Sequence, residues 1–204
     1  MCSPDATQSG TEKKRVLAAE VARVRQEEPN TVVLCEDETI LREFPPLRAC
    51  WGKRGEAVEV PITGSNARRV VFGALNPFTG SRLCMRALRN SGVAFRDFLS
   101  LIRATYKRWD VLLVLDRASS HTAKATATLA DALRIRFAWL PTACPELNPM
   151  EPLWGDGKQH VCANRAPDDL DVLADRFMDH LCGFSNTGAL RRSGVLSGNY
   201  WLTA

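Results

Sequence analysis

Two short stretches, Thr31-Val-Val-Leu-Cys35 and Val111-Leu-Leu-Val-Leu115, leave this chain little freedom in how it folds. Neither alternates polar with apolar residues, so each reads as a strand with no solvent-facing side, and such strands need a sheet covered on both faces. Both runs end in carboxylates: Glu36-Asp37-Glu38 after the first, Asp116 after the second. A third strand-like run, Phe137-Ala-Trp-Leu140, meets prolines that stop further pairing and leads to Glu151 at a helix start. Three buried-type segments thus each deliver an acid, a pattern suited to divalent metal.

The other periodicities complete an order of elements. Residues 11–28 read as a helix with Leu17, Val21 and Val24 on one stripe. Residues 69–75 and 82–88 read as a hairpin turning at Asn76-Pro-Phe-Thr-Gly80. Phe95, Phe98, Leu99, Ile102, Tyr106 and Trp109 recur at helical spacing. An alanine-rich helix follows over 122–134, with Ser120 or Thr122 available as its cap, then a helix from Met150 and another over 167–181.

Three strands, helix, strand, helix, strand and two helices predict an α/β fold of the ribonuclease-H type. Its mixed five-stranded sheet carries helices on both faces, the first three strands antiparallel and the last two reached by crossovers. The strand carrying Asp37 then lies beside the strand carrying Asp116, and both acids project at one end. The expected division is a helical arm or linker over 1–30, a catalytic-type domain over 31–184 and a C-terminal tail over 185–204.

Composition excludes several classes. At 204 residues, 45% apolar and 25% charged, the chain has the size and balance of an ordinary soluble domain. A net charge of +4 permits a nucleic-acid partner without predicting one. The 7 cysteines are scattered and contain no C-x-x-C pair, against a disulfide framework or zinc ribbon and in favour of a reducing compartment. No apolar run approaches the roughly 18 residues of a membrane span, so the expectation is a soluble, cytoplasmic protein with no membrane partner.

Three carboxylates within reach of one another repel unless a cation neutralises them. Two Mg²⁺ ions, with Mn²⁺ as substitute, would let Asp37 bridge the metals while Asp116 and Glu151 complete one site each. Taken singly, an aspartate after a strand is most often a turn or helix cap. Glu36 and Glu38 alternate to the other side of the strand from Asp37 and are poorer ligand candidates.

The wording around these acids changes the weighing. Leu115-Asp-Arg-Ala-Ser-Ser-His121 and Pro141 through Pro145-Glu-Leu-Asn-Pro-Met-Glu151 to Trp154, together with Asp37-Glu38, resemble the motifs of mariner-superfamily transposases, particularly their bacterial insertion-sequence branch. That family belongs to the DDE transposase and retroviral integrase fold group. Positions 117–150 place 34 residues between Asp116 and Glu151, the spacing that names one branch of it. The resemblance implies that Asp37, Asp116 and Glu151 are catalytic metal ligands. The implied reaction is metal-dependent DNA strand cleavage followed by transfer of the 3′ end to target DNA. It also implies double-stranded DNA as partner, at element ends and target, and a homodimer in the active state. The Trp51-Gly-Lys-Arg-Gly55 loop is similar to a segment that helps pair subunits in related transposases, although an ordinary surface loop reads the same way.

Departures from the family pattern leave alternatives open. Arg117 replaces the usual asparagine, where it either contacts a phosphate or weakens metal binding. Gly155 and Gly157 lie in the helix of the third acid, each about 1 kcal/mol worse than alanine in a helix interior. Lys53, Arg54, Arg117, His121 and Lys158 are candidate DNA contacts; scattered solvated charge, and a packing histidine, are the competing readings. Nothing before Thr31 is long enough for a helix-turn-helix module, so the expectation is a catalytic domain alone, with a separate DNA-reading polypeptide encoded upstream or none. Two further readings stay open: a catalytically impaired remnant that only binds DNA, and a structure-specific nuclease on the same fold.

Overall fold

A computed structural model describes residues 4–56, 58–60, 66–198 and 200–202, with side chains from residue 12 onward. Helix α1 (Pro4–Glu27) leads into strands β1 (Thr31–Arg42), β2 (Arg68–Leu75) and β3 (Arg82–Ala87). Helix α2 (Gly92–Thr105) precedes β4 (Asp110–Leu115), helices α3 (Ser119–Thr122) and α4 (Lys124–Ala132), and β5 (Ile135–Trp139). Helices α5 (Met150–Gly157), α6 (Leu170–Cys182) and α7 (Asn186–Arg192) complete the order.

The strands form one five-stranded sheet in the order β3-β2-β1-β4-β5. β1 pairs antiparallel with β2 and parallel with β4, and β4 pairs parallel with β5. This is the mixed sheet expected, with one difference. β1 does not stop at Cys35: it runs on through all three acids to Arg42, because the buried residues of β2 supply partners from Cys35↔Leu75 to Arg42↔Arg68. Its pairing with β4 ends at Cys35↔Val114.

Alternation divides the core between the two faces. Val32, Leu34, Val70, Phe72, Leu113 and Leu115 pack against α2 and α4. The apolar stripe of α2, Phe95, Phe98, Leu99 and Ile102, follows helical spacing and is wholly buried, each side chain worth roughly 1.5–3 kcal/mol over exposure. Ser91 caps that helix by accepting from the Ala94 amide at 3.2 Å. On the opposite face Val33, Cys35, Leu112 and Val114 lie under Leu17, Val21 and Val24 of α1, while Leu41, Val71 and Leu75 lie under α5 and α6.

One local expectation is corrected. The alanine-rich helix is broken at Ala123, whose extended ψ of 137° separates α3 from α4, and neither Ser120 nor Thr122 caps it by side chain. Instead the Thr126 hydroxyl donates to the Ser120 carbonyl at 2.8 Å. Both flanking segments pack on the sheet. Tyr200 and Trp201 join the core beneath α1, and Trp201 Nε1 donates to the Leu147 carbonyl at 2.8 Å. Residues of α1, the sheet and the C-terminal segment therefore pack in one cluster.

Candidate functional site

The end of the sheet where β4 stops is where the acids gather. Asp37 and Asp116 each stand two residues beyond the last β1–β4 pair, Cys35↔Val114, and so emerge at the same end. After β5 the chain turns through Leu140 and Pro141, makes a short 3₁₀ turn at Pro145–Leu147, and enters α5 with Glu151 in its first turn. Asp37, Asp116 and Glu151 line one open cavity of about 340 Å³, together with Arg117, Pro141 and Asn148.

Each acid is held differently. Asp37 lies mid-strand opposite Gly73 of β2, and its Oδ2 accepts a hydrogen bond from Trp154 Nε1 at 2.9 Å. Burial, then the negative charge of Glu151, pushes its carboxyl up to about 7, against the opposing pull of the Trp154 bond. Asp116 is exposed. Its Oδ1 accepts from the Ala118 amide at 2.9 Å and lies 2.9 Å from His121 Nδ1. Glu151 is exposed on the first turn of α5, where a carboxylate also complements the helix dipole.

Asn148 fixes the start of α5 to the sheet. Its Nδ2 donates to the Glu36 carbonyl at 2.8 Å, its Oδ1 accepts from the Met150 amide at 3.2 Å, and its carbonyl accepts from the Glu151 amide at 3.2 Å. Buried and bonded through Nδ2, Oδ1 and its carbonyl, Asn148 sets where Glu151 stands relative to Asp37. The sequence motif contains Asn148 and Trp154 but by itself gives neither a role. The available signal was an asparagine just before a helix, and an indole three residues after the acid and so on its face.

The glycines of α5 also read differently in the fold. A Cβ on Gly157 would stand 2.6 Å from the Phe177 ring, so this glycine is required by the packing of α6 on α5. Gly155 has nothing within 4 Å and no such reason. Gly73 serves the site itself: a Cβ there would meet Trp154 at 2.5 Å and Met150 at 2.6 Å.

The basic candidates separate. Arg117 lines the cavity with its guanidinium 5.0 Å from the centre of the Trp139 ring, a cation–π placement beside the acids. Lys53 and Arg54 lie in an exposed loop with Trp51, Lys53 paired to Glu56 at 2.6 Å, and neither lines the cavity. Lys158 is half-buried where α5 passes into a π-turn over Lys158–Cys162. His121 is only 1% exposed, with its Nδ1 against Asp116, which favours the packing reading.

Asp37, Asp116 and Glu151 are thus the acids of this cavity that could hold a hard divalent cation, which would relieve the repulsion between Glu151 and Asp37. No helix among the described residues is long and apolar enough to cross a membrane.

Residues 32–174 match a protein family described as DDE superfamily endonuclease. A relative, the insertion element IS630 uncharacterized 39 kDa protein of Shigella sonnei, is 30% identical over 124 residues, which cover 60% of this chain and 36% of that protein. The chain therefore matches about a third of that relative's length. The mariner Mos1 paired-end complex with Mg superimposes with a TM-score of 0.68 at 14% identity, over 96% of this chain and 60% of that one. The catalytic domain of Mos1 mariner transposase gives 0.59 at 13% identity, over 91% and 86%. At such identities the likeness is one of fold, and that fold is ribonuclease-H-like.

Proposed function

Since the chain belongs to the DDE superfamily endonuclease family, we propose that it is the catalytic part of an insertion-sequence transposase that cleaves a DNA strand and joins the freed 3′ end to target DNA. The observation that carries this reading is the convergence of Asp37, Asp116 and Glu151, from a strand centre, a strand end and a helix start, on one open cavity. The residues fit Mg²⁺ or Mn²⁺: all three offer hard oxygen ligands, and Asp37 is destabilised as an anion by burial and by Glu151 until positive charge arrives. When bound, such ions supply Lewis-acid polarisation of a phosphodiester and a more acidic attacking water or 3′-hydroxyl.

The chain's own residues position the rest. Trp154 aims Asp37, the Ala118 amide and His121 aim Asp116, and Asn148 holds the helix turn that presents Glu151. Arg117, braced on Trp139 at the cavity wall, stands where it would meet a phosphate, which supports the contact reading over a loss of metal binding. The fit of Gly157 against Phe177 likewise supports a deliberately built helix rather than a decaying one.

DNA in duplex form is the proposed substrate, a second copy of the chain the proposed partner, and the exposed Trp51 loop the proposed pairing surface. A polypeptide carrying a DNA-reading module, and a cytoplasmic, nucleoid-associated setting, complete the proposal. The test is a supercoiled-plasmid assay of the purified chain with Mg²⁺ or Mn²⁺. Nicking and joined products should form and should vanish in Asp116→Asn. Activity that survives in that variant removes the assignment; cleavage of branched DNA without any joining points to a nuclease on the same fold.

A further inference from the structure

Behind the cavity, on the face of the sheet that carries α2, lies a second group of ligand atoms. Glu36 and Glu38 point to that face by strand alternation, and His121 reaches it from α3 with its ring 4.3 Å from that of Phe95. His121 Nε2 stands 3.8 Å from Glu36 Oε2 and 3.8 Å from Glu38 Oε2, and the three ligand atoms all lie within 4.8 Å of one another. Glu36 and His121 are each only 1% exposed. Neither carboxylate oxygen of Glu36 has a hydrogen-bond partner, and neither does His121 Nε2.

Such a group is costly to bury as it stands. Glu36 is buried beside Glu38, Asp37 and Asp116, all of its own sign, and neither of its oxygens has a hydrogen-bond partner. His121 adds no relief in its neutral form. Its Nδ1 lies between two acceptors, Asp116 Oδ1 at 2.9 Å and the Asp116 carbonyl at 3.1 Å, so the ring proton sits there. The Nε2 lone pair is left facing two acids.

We propose that Glu36, Glu38 and His121 form a second cation site, separate from the cavity, that takes a divalent transition-metal ion of the Mn²⁺ or Zn²⁺ class. Distance favours a metal over a shared proton: 3.8 Å is too long for a hydrogen bond from Glu36 to Nε2. An ion with bonds of about 2.1 Å in tetrahedral array holds its ligand atoms roughly 3.4 Å apart, a small adjustment from this geometry. The outer contacts match as well. A ligating imidazole commonly donates its other N–H to a carboxylate, as Nδ1 does to Asp116. Asn90 Nδ2 donates to Glu38 Oε1 at 2.7 Å and leaves Oε2 for the ion. One imidazole and two carboxylates in a dry pocket disfavour Mg²⁺, which prefers six oxygens and keeps several waters.

A second cluster, Asp156 with His160 and His180, lacks this character. Arg192 Nε already stands 3.2 Å from Asp156 Oδ1, and His180 Nε2 is bonded to Oδ2 at 2.7 Å. Its positive charge is in place. At Glu36 it is missing, and an ion there would brace His121 and, through it, Asp116.

The experiment is Mn²⁺ titration with pulsed electron paramagnetic resonance on the full chain carrying Asp37→Asn and Glu151→Gln, which removes two of the three cavity acids. One Mn²⁺ per chain should remain, with nitrogen hyperfine coupling, and a large excess of Mg²⁺ should not displace it. Adding His121→Gln should abolish the nitrogen coupling. Adding Glu38→Gln, a partly buried position where the amide keeps the side chain's size, should weaken Mn²⁺ binding at least tenfold. Circular dichroism checks that each variant is folded. Absence of bound Mn²⁺, nitrogen coupling that survives His121→Gln, or unchanged affinity in Glu38→Gln would each overturn the proposal. Failure of the cavity to bind metal would appear instead as equal stoichiometry in the parent chain and the double variant.

Discussion

Trp154 Nε1 donates to Asp37 Oδ2 at 2.9 Å, joining residues 117 positions apart, and Trp154 follows Glu151 by three positions on the same helix. One indole thereby couples the placement of the first acid to that of the third. Trp154→Phe keeps most of the packing and removes the donor. A hydrogen bond to a charged group contributes about 1.5–3 kcal/mol, so divalent-metal affinity and strand cleavage should fall roughly 10- to 100-fold. Calorimetric Mn²⁺ titration beside the plasmid assay reads both, with thermal unfolding changed much less than activity.

The raised carboxyl of Asp37 makes stability pH-dependent in the absence of cations. Folded Asp37 holds its proton up to about 7, whereas the unfolded chain releases it near 3.8. Its contribution is therefore complete below about 4 and is lost as pH rises through about 7. The shift corresponds to roughly 4 kcal/mol as an order of magnitude. Glu36 acts with the same sign, so the informative quantity is a difference. Denaturant unfolding at pH 4.5 and 7.5 should show Asp37→Asn losing less stability over that interval than the parent chain.

The two glycines of α5 should respond in opposite directions. Gly155→Ala meets nothing within 4 Å and gains helix propensity, so unfolding should be harder by about 0.5–1 kcal/mol. Gly157→Ala drives a methyl into the Phe177 ring and should cost about 1–3 kcal/mol. Thermal melts of the two variants test this without reference to activity.

Trp201 tests whether the C-terminal residues belong to the domain. The side chain is buried under α1, and its Nε1 holds the Leu147 carbonyl just before α5. Trp201→Ala should cost about 3–5 kcal/mol. Because Leu147 adjoins Asn148, the variant should also lose metal affinity, which a loose tail would leave unchanged.

The sheet was legible because Thr31–Cys35 and Val111–Leu115 carry no polar face, and such strands pair where both sides can be covered. The three acids were legible through the Pro-Glu-Leu-Asn-Pro-Met-Glu wording and the interval from Asp116. The length of β1 was hidden, since Glu36-Asp37-Glu38 looks like a strand end until β2 is there to pair with it. Gly157 looked like weakness because propensity is local, whereas Phe177 arrives from another helix. The sequence left His121 open between a DNA contact and a packing histidine for the same reason: nothing nearby in it reveals that Phe95 and two glutamates surround the ring.

Gly73 bears on how the chain finds its register. Val32 through Cys35 are apolar on both faces and the next three residues are all acidic, so a slip of β1 by one place would exchange apolar for apolar and acid for acid. Hydrophobic patterning, the usual guard against such slips, is nearly silent here. The proofreading falls to the pair Asp37↔Gly73, where only a residue without a side chain admits the indole that reaches Asp37. A hairpin slipped by one place would set Glu36 or Glu38 opposite Gly73, and the indole seated there would meet a side chain one carbon longer than that of Asp37.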